Sequence, residues 1–217
     1  MSPHRLAVLL FLMAAFVRGA LAAGAEKAEA ESSAQNIPGP PPTLEASVKG
    51  DDFVGNRIVN HAYVSYGTNR FSFVVPEGCH VDGASGEKLV VVNEGYDCFL
   101  SFRVVGPLPA GNRELQPEVC RQLLLSRYPG ATISEEYSRS VANHSGPAFD
   151  FQWLNSSGAP QSGRVVFVPM AAGFVEFSLI TTVEKAISGQ TLFHRFLLTF
   201  RTDESGKLDV VHFAEAI

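Results

Sequence analysis

Three neighbouring stretches decide the fold: Ala148-Phe149-Asp150-Phe151-Gln152-Trp153-Leu154, Arg164-Val165-Val166-Phe167-Val168 and Phe174-Val175-Glu176-Phe177-Ser178-Leu179-Ile180-Thr181. In the first, Phe149, Phe151 and Trp153 alternate with Asp150 and Gln152, the period of a strand with one apolar side. The other two are rich in β-branched and aromatic residues, and Gly163 and Ala171-Ala172-Gly173 precede them. Connections this short leave no room for a crossover, so the three stretches predict an antiparallel meander.

Working outward, a change of period precedes the meander. Pro117 suits the first residue of a helix, and Val119, Cys120, Leu123, Leu124 and Tyr128 follow at steps of three and four until Pro129-Gly130. Before that helix, strands are predicted at Ala62–Tyr66, Phe71–Val75, Lys88–Asn93 and Cys98–Val105, with Pro76-Glu77-Gly78 and Gly106-Pro107 as turn signals. After the meander, Thr181 and Glu184 have capping-box spacing. Phe193, Phe196, Leu197 and Phe200 then form a core-facing helical stripe, and Leu208–Phe213 offers a final edge strand. Apolar helix stripes need a sheet beneath them, so the expected fold is α+β: an antiparallel β-sheet covered by helices, an α/β/α sandwich over residues 51–217. The two helices cover both faces of the sheet or share one.

The residues before this domain differ in kind. His4 and Arg5 give a basic start, Leu6–Val17 is almost wholly apolar, and Ala20-Leu21-Ala22 is a small-residue cleavage site. These are the parts of a secretory signal peptide, assigned to residues 1–22, with a mature chain starting near Ala22 or Ala23. The apolar stretch is shorter than the roughly 20 residues that span a bilayer. No later segment is long and apolar enough, so the mature chain is expected to carry no transmembrane segment. Its expected location is secreted or periplasmic. Residues 23–50 are rich in Pro, Ala and Glu, with Pro38-Gly39-Pro40-Pro41-Pro42 among them, and bring too few apolar groups to offset their ordering entropy. They read as a disordered tether.

The net charge is −5 and no run of Lys or Arg occurs, so the composition excludes a nucleic-acid partner. Cys79, Cys98 and Cys120 are the three cysteines. Export permits a disulfide, and Cys79 with Cys98 is the candidate pair, because one follows a strand and the other opens one. Cys120 falls on the apolar side of the predicted helix. Three reduced, buried thiols are the equal alternative.

Two further motifs carry a family resemblance. Arg70-Phe71-Ser72-Phe73-Val74-Val75-Pro76-Glu77-Gly78 is similar to the opening strand of the PsbP-like superfamily, with Cys79 where that family often has Trp. Phe193-His194-Arg195-Phe196-Leu197-Leu198-Thr199-Phe200 is similar to its closing helix. The superfamily includes the extrinsic PsbP protein of photosystem II, a Ran-binding nuclear import factor and exported bacterial proteins. The resemblance spans most of Ala62–Phe213 and implies a PsbP-like sandwich with an accessory role. It brings no shared active site.

Catalytic motifs are not found: no Gly-x-Ser-x-Gly elbow, phosphate loop or zinc-protease helix occurs. His80 and Asp82 are two apart, too few for a metal, and read as part of a solvated turn. His194 reads as a helix-surface histidine. Asn143-His144-Ser145 and Asn155-Ser156-Ser157 fit the glycosylation sequon. No cofactor or metal is expected. The one polar constellation is Asp150, Gln152, Arg164 and Glu176. If the meander's polar sides align, all four share one sheet face, as a ligand cradle, an acid–base pair or a solvated ion-pair network. The expected function is a non-catalytic binding or accessory protein whose partner is an unnamed protein or envelope component. The alternative is a small hydrolase or ligand-processing enzyme using the polar face of the meander.

Overall fold

Val and Phe recur in short runs such as Phe71–Val75, Leu89–Val92 and Val165–Val168, and these residues fit a pleated, half-buried surface. The computed structural model describes residues 42–54, 57–106, 115–170 and 173–203. The strands are β1 (Leu44–Val54), β2 (Arg57–Tyr66), β3 (Asn69–Val74), β4 (His80–Ser85), β5 (Lys88–Asn93), β6 (Cys98–Val105), β7 (Thr132–Val141), β8 (His144–Leu154), β9 (Pro160–Met170), β10 (Gly173–Thr182) and β11 (Arg201–Asp203). The helices are α1 (Pro117–Arg127), between β6 and β7, and α2 (Ala186–Thr199), between β10 and β11.

The fold is α+β, but the strands form two sheets instead of one. β4-β5-β6-β10-β9-β8-β7 is a seven-stranded sheet and β1-β2-β3-β11 a four-stranded one, and every pairing is antiparallel. One face of the larger sheet packs against the smaller sheet and α2. There Phe71, Phe73, Phe102, Phe177, Phe193, Phe196 and Phe200 share one buried cluster. Edge-to-face pairs such as Phe73–Phe196 at 4.7 Å and Phe177–Phe200 at 4.7 Å link the layers. The opposite face is covered by α1, where Cys120 and Leu124 meet Phe149, Phe151, Val165, Phe167 and Phe174. The two helices therefore cover opposite faces.

Several expectations need correction. The tether was expected to run through residue 50, yet β1 begins at Leu44. Leu44 is buried, lies opposite Tyr66 on β2, and its backbone N–H donates to the Gly86 carbonyl at 2.6 Å. The residues around His80 and Asp82 form β4 instead of a turn; a bulge between Val81 and Gly83 breaks the alternation that marks a strand. β7 was not expected at all. Its residues are mostly polar, it is an edge strand, and it bulges between Ile133 and Glu135. It turns into β8 through Ala142 and Asn143, both with positive φ, the conformation of a two-residue hairpin that matches strand twist. The capping box is not made. The Thr181 hydroxyl donates to the Tyr96 carbonyl at 3.2 Å, and α2 is entered through a 3₁₀ turn at Val183–Lys185. The signal peptide, the tether before residue 42 and the edge strand at Leu208–Phe213 lie outside the described residues.

Candidate functional site

β8 and β9 pair so that Asp150 lies opposite Arg164. Cross-strand partners project to the same side, so their side chains meet. Arg164 Nε donates to Asp150 Oδ1 at 2.6 Å and Nη2 donates to Oδ2, a two-pronged, charge-assisted contact. Tyr137 on β7 adds a third donor, its hydroxyl to Asp150 Oδ1 at 3.1 Å, while the guanidinium lies 5.6 Å from the Tyr137 ring centre. Burial, reinforced by the Asp150 charge, pushes the Tyr137 phenol up to about 12. The hydrogen bond to Asp150 holds Arg164 above its usual range. Gln152 follows on the same side, exposed, opposite Ser162.

Glu176 is not part of this group. It lies opposite Phe167 on β9 and Arg103 on β6, whereas Arg164 lies opposite Leu179. Residues 176 and 179 are an odd number apart, so their side chains leave the sheet on opposite sides. Glu176 therefore faces α1 with Phe167 and Phe174, while Asp150, Gln152 and Arg164 face the α2 side. The expectation of one shared polar face fails because β10 is buried on both sides: Val175, Glu176, Phe177 and Ser178 are all buried, so alternation in β10 does not say which set faces which layer. Glu176 is 5% exposed. Arg127, in the last turn of α1, reaches its Oε2 as an ion pair without the alignment of a good hydrogen bond. Sequence reasoning passed over Arg127, whose position at the end of the α1 stripe was the only signal.

The remaining candidates are separated from both groups. Cys79 and Cys98 are free thiols, so the candidate disulfide is not formed; Asn93 lies opposite Cys98 and donates its amide to Cys79 Sγ at 3.5 Å. Burial pushes the Cys98 and Cys120 thiols each up to about 12. Both are therefore protonated and poorly nucleophilic at neutral pH. His194 meets Arg139 of β7 at the surface. Among the described residues no group of three or more His, Cys, Asp and Glu could hold a metal, and no helix is long and apolar enough to cross a membrane. A shallow hollow of about 290 Å³ on the outer face of the four-stranded sheet is lined by Glu45, Ser47, Tyr63, Ser65 and Arg70. Arg70 there donates to the Gly67 and Asn69 carbonyls.

No family model matches the chain, and no curated protein does. Solved structures do. The solution structure of cyanobacterial PsbP from Synechocystis is similar at 13% identity and a TM-score of 0.46, over 74% of this chain and 93% of that one. LpqN of Mycobacterium tuberculosis, described as involved in cell envelope biogenesis, is similar at 10% identity and a TM-score of 0.41, over 73% and 91%. A Pseudomonas aeruginosa protein of unknown function is similar at 14% identity and 0.39, over 72% and 93%. All three are likenesses of fold alone.

Proposed function

We propose that this protein is an exported, non-catalytic binding or accessory domain that works with a protein or envelope component. One observation carries the non-catalytic part: Asp150 and Glu176, the two carboxylates of the polar constellation, project from opposite faces of one sheet, each committed to its own arginine. An acid–base pair needs both groups within reach of one substrate. The alternative reading, a hydrolase working through Asp150 and Glu176 together, has no such geometry. Export is supported by the basic start, the apolar Leu6–Val17 stretch and Ala20-Leu21-Ala22.

A broad hydrolase screen on the purified chain tests the first part, with no turnover expected. Turnover that disappears in Asp150→Asn or Glu176→Gln would overturn it. N-terminal sequencing of the native protein tests export. The expected start is near Ala23, and a cytosolic product still beginning at Met1 contradicts it.

A further inference from the structure

On the α1 side, the sheet changes character along one row. Lys88 on β5 lies opposite Arg103 on β6, and Arg103 lies opposite Glu176 on β10. Arg127 reaches the same carboxylate from α1. Two cations thus adjoin one buried acid and a third, Lys88, stands one strand further on, in a chain whose net charge is −5. Like charges directly opposite each other on neighbouring strands are destabilising. Lys88 and Arg103 are nevertheless both half-buried, and among the described residues neither makes an ion pair or a side-chain hydrogen bond. Burial, then repulsion from Arg103 and Arg127, lowers the Lys88 ammonium below its usual range. Glu87, exposed beside Lys88, also attracts Arg127.

A like-charge pair that a fold retains with no ion pair of its own among the described residues marks a place where local stability is set aside for something else. We propose that Lys88, Arg103 and Arg127 form a binding site for an acidic group, a carboxylate or a phosphate, carried by the protein's ligand or partner. Glu176 holds Arg127 in place and leaves Lys88 and Arg103 to the ligand. An arginine offers a planar fork to either oxyanion and a lysine a point charge. Val90 and Val92 of β5 and Phe99 of β6 continue the same face, and Phe99 is 49% exposed, so an apolar part of the ligand has a surface to lie on. The inference rests on the binding-domain reading and adds the chemistry of what is bound.

The test is a titration of the full chain with sodium phosphate and, separately, sodium acetate, followed by amide NMR, with sodium chloride at matched ionic strength as the reference. Saturable movement of the Lys88, Arg103 and Arg127 signals is expected with at least one anion, and the tighter of the two names the ligand class. Lys88→Met and Arg103→Met are each expected to weaken that binding about tenfold. Arg121→Met, on an exposed cation already paired with Glu136, is expected to leave it unchanged. Movement equal to that in chloride, no movement, or full affinity in both Met variants would overturn the site. That failure would leave the hydrolase screen untouched, and turnover in the screen would leave the anion result untouched, so the two proposals fail separately.

Discussion

The two faces of the seven-stranded sheet are built on different principles. Over β6 and β10 the α2 face is an apolar layer in which Phe102 and Phe177 of the larger sheet meet Phe71 and Phe73 of the smaller one and Phe196 and Phe200 at the end of α2; its polar group, Asp150 and Arg164, lies out on β8 and β9. The α1 face is apolar over β8 and β9 and at Phe174 of β10, but one row across β10, β6 and β5 is charged: Glu176, Arg103 and Lys88. Strand β10 lines both. An apolar layer tolerates no gap, whereas a charged row tolerates water and ions. The difference teaches that the α2 face holds the fold together and the α1 face is where the molecule has charge to spare.

Substitutions should separate the faces. Phe196→Ala empties a fully buried site in the apolar layer and is expected to cost about 3–5 kcal/mol in urea unfolding; a loss near zero would mean the α2 layer is not the core. Glu176→Gln keeps the shape but strands Arg127 beside Arg103. A cost of about 2–4 kcal/mol is expected, below that of a fully buried broken pair because Arg127 is partly exposed. The cost should shrink as salt screens the cations. Leu44→Ala is expected to cost about 2 kcal/mol, because the start of β1 is packed; no change would restore the tether to residue 50. Asp150→Asn, at a pair whose side chains are only 20% and 16% exposed, keeps one acceptor oxygen for Arg164 and Tyr137 and is expected to cost about 1–2 kcal/mol.

The last effect is alkaline. Unfolded thiols lose their protons near 9.0, whereas the folded chain holds those of Cys98 and Cys120 up to about 12. The unfolded state therefore binds fewer protons in this window, and stability present below pH 9 falls as pH rises towards 12. The urea midpoint should be lower at about pH 10.5 than at about pH 8. Cys120→Ala should reduce that drop, and an unchanged drop would mean that the buried thiol is not its source.

Much of the fold was legible where one rule operated alone. β5 and β6 match their sequence limits because β-branched runs end at Asn93 and Gly106, and α1 begins at Pro117 as its position suggests. Bulges removed the alternation that would have marked β4, and helped to hide the polar edge strand β7. At the site, the parity of Asp150 and Gln152 was readable because the Phe149–Trp153 part of β8 alternates. Glu176 was not readable: a strand buried on both faces gives no local sign of which neighbour covers which side. Only the register of β10 with β9 decides it.

The central claim, that Asp150 and Glu176 serve separate ion pairs on opposite faces, is tested most directly by a double-mutant cycle. The unfolding free energies of Asp150→Asn, Glu176→Gln and the double variant would be compared. Groups that share no partner add within about 0.5 kcal/mol, and that is the result expected here. A coupling above about 1 kcal/mol would show that the two carboxylates act on each other or on a common partner, and would contradict the account.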